Sequence, residues 1–155
     1  MALMHISVDQ SPRIENWTKN SAIAFSNGTQ KVLIITSQLK REALALLLKR
    51  GKTEDTAKWM IFAAGIFLLV RDDLSKIQKI TIDQDFDART MNNLCHWLWQ
   101  KIKRSKPRFA LDDIDFRSIK RKNPAHYLAY GVYTGLIKPN QELRVKRRGL
   151  LDILK

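Results

Sequence analysis

SAIAFSNGTQKVLIITS, residues 21–37, decides the fold. Two apolar runs rich in β-branched residues flank Asn27-Gly28, the residue pair favoured where a tight hairpin turn needs positive φ at both central positions. The stretch predicts two antiparallel strands, one over 21–29 and one over 30–37. Upstream, HISVDQSP (5–12) alternates weakly and stops at the turn signal Ser11-Pro12. It reads as a further strand with Asp9 near its end, so the chain opens with three strands.

Downstream the period changes. After Ser37, a candidate N-cap, QLKREALALLLKRG (38–51) sets Leu39, Ala43, Leu46 and Leu47 on a helical stripe, places Glu42 one turn in and stops at Gly51. TEDTAKWMIFAAGIFLLVRDDLSKI (53–77) begins with the acidic first turn that suits a helix dipole, although IFLLV near its end reads equally as a strand. KITIDQDF (79–86) predicts a strand with Ile80 and Ile82 on one face and Thr81 and Asp83 on the other; Asp85 shares the parity of Asp83. A helix follows over 88–104, then a strand over 108–119. The last helix spans 123–137 and starts at Asn123-Pro124, an N-cap followed by proline at the first helical position. Tyr127, Tyr130 and Tyr133 recur along one side of it, and packing against the sheet is their expected role ahead of base stacking.

The order β-β-β-α-α-β-α-β-α predicts a single-domain α/β protein with a mixed sheet, three leading antiparallel strands and helices packed on it. The domain is expected over 1–140. Residues 141–155 read as a basic C-terminal tail whose short apolar end, GLLDILK, docks in cis or on a protein partner.

The chain has 155 residues, 45% apolar and 28% charged, which excludes global disorder. Its net charge of +13 is unevenly placed: residues 1–100 carry 13 basic and 10 acidic side chains, residues 101–155 carry 15 and 5. The excess lies in Lys101, Lys103, Arg104 and Lys106, in Lys120, Arg121 and Lys122, and in Lys146, Arg147 and Arg148. Three such clusters in one third of the chain point to a phosphate backbone, DNA or RNA, as partner. The lone Cys95 excludes an internal disulfide and suits a reducing compartment, cytoplasmic or nucleoid or nuclear. No secretory signal is visible, and the longest apolar run, residues 59–70, is too short to span a bilayer, so no membrane partner is expected.

With Asp9 in ISVDQSP, Glu42 in LKREALALLLK, Asp83 in ITIDQDF and His126 in NPAHYLAYGVY, the element order resembles the ribonuclease H-like group over most of residues 5–137. Members of that group carry an Asp in the first strand and an acidic residue in the first helix. An Asp ends their fourth strand, and an acidic residue or His stands in a late helix. One branch reads Asp-Glu-Ser-Gly in its first strand; the matching stretch here is VDQSP, with Gln10 in the acidic position. The resemblance implies a metal-dependent nuclease with Asp9, Glu42, Asp83 and His126 as catalytic residues, the three carboxylates holding Mg²⁺ or Mn²⁺. Hard cations of this kind take oxygen ligands and polarise the phosphodiester. Two other readings stay open: a non-catalytic basic DNA- or RNA-binding domain, and a partner-binding subunit. Asp112, Asp113 and Asp115 form a further acidic cluster that could replace any of the named carboxylates.

Overall fold

In a computed structural model that describes residues 3–27, 30–119, 123–139 and 141–155, strands β2 (Ser21–Ser26) and β3 (Gln30–Ile35) pair antiparallel, Ala24 opposite Val32. Gly28, the second half of the turn signal, lies outside the described residues. The first strand, β1 (Met4–Ser11), pairs antiparallel with β2. β4 (Ile77–Asp83) and then β5 (Ile114–Arg117) add in parallel beyond β1. A sixth strand, β6 (Gln141–Arg144), adds in parallel beyond β3, giving the order β5-β4-β1-β2-β3-β6. Every strand except β2 therefore points the same way, and five carboxyl ends share one edge of the sheet.

Both faces of the sheet are covered, which explains why the hairpin strands are continuously apolar over Ala22–Phe25 and Val32–Ile35. Ile23, Phe25, Leu33 and Ile35 face the larger core, packed under α1 (Ser37–Lys49), α2 (Glu54–Val70) and α3 (Ala88–Ser105). Ala22, Ala24, Val32 and Ile34 face the single helix α4 (Pro124–Tyr133), which presents Leu128 and Ala129. The two alanines of β2 let α4 lie close. On the other face Gly65 does the same for α2, since a Cβ there would lie 2.4 Å from Ile23 Cδ1. The ambiguous IFLLV run is helical throughout because α2 is buried on nearly all sides. No helix among the described residues is long and apolar enough to cross a membrane.

Local chemistry sets the helix ends. Thr36, rather than Ser37, caps α1, its hydroxyl accepting from Leu39 N at 3.2 Å. Gly51 stops that helix at φ +86°. Asn123 caps α4 through Ala125 N at 2.9 Å, with Pro124 opening the helix as expected. The strand expected over 108–119 is much shorter. The Asp113 carboxylate accepts from Ala110 N at 2.9 Å and winds residues 111–113 into a single tight turn before β5.

Two expectations need correcting. Residues 141–155 are no tail: after β6 the chain forms α5 (Arg147–Leu154), whose Leu150 and Leu154 are buried in the larger core. Arg50 Nη1 also donates to Leu154 O at 3.0 Å. GLLDILK thus docks in cis, and Leu150→Ala is expected to lower the stability to urea by about 3 kcal/mol. A variant as stable as the wild type would show α5 to be dispensable. The second correction concerns α4. Tyr127, Tyr130 and Tyr133 do not pack on the sheet but are 55%, 50% and 38% exposed. The small residues at Ala125, Ala129 and Gly131 turn the opposite side of the helix inward.

Candidate metal centre

Asp9 and Asp83 reach the same place from neighbouring parallel strands. In β1, Ile6 and Val8 point into the larger core, so Asp9 points to the α4 face near the carboxyl end of the strand. In β4, Ile80 and Ile82 take the core face and Asp83 ends the strand on the other. The chain then turns sharply: Asp85 N donates to Asp83 O at 3.0 Å, and Gln84 N donates to Arg117 O of β5 at 3.0 Å. That turn brings Asp85 back beside the two strand residues. Carboxylate oxygens of Asp9, Asp83 and Asp85 lie within 4.8 Å of one another, with Asp9 buried and the other two half-buried.

Each carboxylate is held by its own partners. Asp9 Oδ1 accepts from Gln10 N at 2.8 Å and Oδ2 from His126 Nδ1 at 2.9 Å. An ionised carboxylate only accepts, so the His126 proton sits on Nδ1, leaving Nε2 with no partner among the described residues. Asp83 Oδ1 accepts from Ile119 N at 2.7 Å. Asp85 Oδ2 accepts from Gln10 Nε2 at 2.8 Å, and Gln10 Oε1 in turn accepts from Ile14 N at 3.1 Å. Gln10 therefore orients a third carboxylate instead of supplying one.

The site carries more negative charge than its neighbours balance. Burial, then the charge of Asp83, pushes the Asp9 carboxyl from 3.8 up to about 6, against the hydrogen bonds from Gln10 and His126. Burial likewise lifts Asp85 from 3.8 to about 7; the Gln10 hydrogen bond opposes it, and the charges of Asp83 and Asp9 add to it. Arg13 Nε, 3.6 Å from Asp85 Oδ1 on a largely exposed side chain, offsets only part of this. Three oxygen donors crowded at one point, with surplus negative charge and no thiolate, suit a hard divalent cation.

Of the residues expected at the site, Asp9, Asp83 and His126 come together and Glu42 does not. Glu42 sits on the flank of α1 and accepts from Arg147 Nε of α5 at 2.6 Å. Asp85 takes the place proposed for it in the carboxylate set. Strand parity grouped Asp85 with Asp83, and the two carboxylates do lie together, although the strand ends at Asp83 and Asp85 arrives through the turn beyond it. Asp115 is also elsewhere, accepting from Thr81 Oγ1 at 2.6 Å and pairing with Lys79 at 3.1 Å. Cys95 is buried, and burial pushes its thiol up to about 12, which removes it as a nucleophile.

The basic cluster of α3 lies apart from the carboxylates. α3 leaves the site at Ala88 and runs back, so Lys101, Lys103, Arg104 and Lys106 stand at the opposite end of the sheet. Lys106 Nζ donates there to Leu74 O and Ile77 O at 2.8 and 2.6 Å, where β4 begins. Lys101 and Lys103 cover the rings of Trp97 and Trp99 at 5.0 and 4.2 Å. Lys146, Arg147 and Arg148 open α5 beyond β6, while Lys120, Arg121 and Lys122 lie outside the described residues. Comparison with protein-family models, with curated proteins and with solved structures returns no match, which leaves the geometry of the site to carry its functional reading.

Proposed function

We propose that the protein is a nucleic-acid-processing enzyme, a Mg²⁺- or Mn²⁺-dependent nuclease of ribonuclease H-like type acting on phosphodiester bonds. One observation carries this reading: Asp9, Asp83 and Asp85 converge at the carboxyl edge of a mixed sheet that opens with three antiparallel strands. Crevices at the carboxyl ends of parallel strands are where open α/β sheets bind ligands. Asp9 and Asp83 come from strands locked by the sheet ladder, and Asp85 is fixed through Gln10, so the donor set is rigid before any ligand arrives. A divalent cation held by these three would supply Lewis-acid stabilisation of charge on a phosphodiester oxygen.

The residues around the carboxylates divide the remaining work. Asp9 fixes the His126 ring through Nδ1 and aims Nε2 outward, where it can accept or return a proton at an oxygen of the substrate. Arg13, mostly exposed at the rim, is placed to attract a phosphate. The test is incubation of the full chain with labelled single-stranded DNA, single-stranded RNA, duplex DNA and hybrid in Mg²⁺ or Mn²⁺. Cleavage of at least one substrate, abolished by chelator, is the expected result. Absence of cleavage on all four with either ion would sink the enzymatic reading. Binding without hydrolysis is the second reading, favoured by the basic end of α3 lying away from the carboxylates. It predicts affinity that falls steeply with salt and ignores chelator.

A further inference from the structure

All three tyrosines of the chain stand on α4, and all three are exposed. With Leu136, they make four of the seven large apolar side chains that are exposed among the described residues. Aromatic rings concentrated on one face of one helix, away from the core, mark a binding surface more than a solvated one. The position of the helix says what that surface adjoins. Its first turn carries His126, bonded to Asp9, and the His126 and Tyr127 rings meet edge to face at 6.0 Å. Its last residue, Tyr133, lines a groove of about 640 Å³ with Lys19, Asn20, Glu142 and Arg144.

That groove opens at the same edge of the sheet as the metal centre, because Ile34 and Arg144 lie at the carboxyl ends of β3 and β6. From Tyr127 to Tyr133 the helix advances about 9 Å, a run for roughly two or three stacked bases. We propose that single-stranded nucleic acid lies along α4, its bases on Tyr127, Tyr130 and Tyr133, between the metal centre and the groove of Lys19 and Arg144. The assignment rests on the nuclease reading for what happens at the His126 end, and it names the substrate as single-stranded. Two cations against one carboxylate in the groove favour a polyanion there. A duplex keeps its base faces stacked on each other and offers these rings nothing.

The test measures binding without cleavage, by fluorescence anisotropy of labelled oligo-dT, oligo-U and a mixed-sequence duplex in chelator. Tyr127→Ala/Tyr130→Ala is expected to weaken binding of both single strands about tenfold, leaving duplex binding and the salt dependence unchanged. Tyr127→Phe/Tyr130→Phe keeps the rings and should stay within about twofold of wild type. Arg144→Glu should weaken single-strand binding and reduce the salt slope by about 1. Single-strand affinity unchanged in the folded double-alanine variant would overturn the proposal. So would a dimer of the wild type that this variant dissociates, which would give the face to a second copy of the chain. Because the assay runs in chelator, a chain that cleaves nothing yet shows the tyrosine-dependent loss keeps the track and loses only the hydrolytic reading.

Discussion

In the Asp83→Asn variant, metal-dependent cleavage is expected to fall by about a thousandfold or more. A rise in thermal midpoint with Mn²⁺ or Mg²⁺ is expected for the wild type and should vanish in the variant. The substitution is nearly isosteric, and its side-chain oxygen can still accept from Ile119 N, so the end of β4 stays in place. What it removes is one of three converging negative charges. For the wild type, a cation at a hundredfold excess over its Kd stabilises the fold by about 2.7 kcal/mol. That corresponds to a midpoint shift of roughly 5–10 °C for a chain of this size. Scanning calorimetry with and without metal reads this directly, independently of substrate. A variant that keeps the full metal shift would place the cation elsewhere.

The second large effect runs in the opposite direction. Asp85→Asn should make the metal-free protein more stable, by about 2 kcal/mol near neutral pH and above. Asp85 is raised to about 7 and Asp9 to about 6, burial being the main cause for both. Between about pH 4 and pH 7 the folded chain therefore holds protons that the unfolded chain has released, and stability falls as pH rises. Below that window the penalty is absent; above it the penalty is complete. The asparagine has no charge to bury and still offers an oxygen to Gln10. The stability difference between variant and wild type should thus grow through the window and then level off. Urea midpoints across the range check it, and a difference independent of pH would show that Asp85 is not strained by its charge.

Local signals carried the centre of this fold, and non-local ones were silent. Asn27-Gly28 between apolar runs, the Asn123-Pro124 cap and the alternation around Asp83 each report on a few neighbouring residues, and the predicted elements stand where those signals were strong. Asp9 and Asp83 converge because sheet pairing brings together strand ends that sequence order keeps 74 residues apart, and His126 joins them because α4 packs across β1 and β2. Asp85 was harder to place. Parity grouped it with Asp83, but its side chain reaches the site from a turn beyond the end of β4, closed by a backbone bond to Asp83 O. Glu42 misled for the complementary reason. A carboxylate on an amphipathic helix is legible, but the helix flank facing Arg147 is set by how α1 meets α5. β6 has only four residues, Gln141–Arg144, none fully buried, so no periodicity could announce it. The tyrosines of α4 were assigned inward because Leu128, Val132 and Leu136 stand beside them in the sequence. The alanines and glycine on the other side of that helix were the countersign.

The place of β6 and α5 also sets an order of events during synthesis. Residues 141–154 leave the ribosome after β1 to β5 and α1 to α4, yet they cover the free edge of β3 and cap the core beside α1 and α2. Until they emerge, a nascent chain exposes an unpaired hydrophobic strand together with the surface that Leu150 and Leu154 later bury. Such intermediates are what chaperones bind and what aggregates at high concentration. The carboxylates of Asp9, Asp83 and Asp85 can gather before that moment, since their strands pair at the other side of the sheet. Gathering of the three carboxylates and covering of β3 are therefore separable steps in the life of the chain.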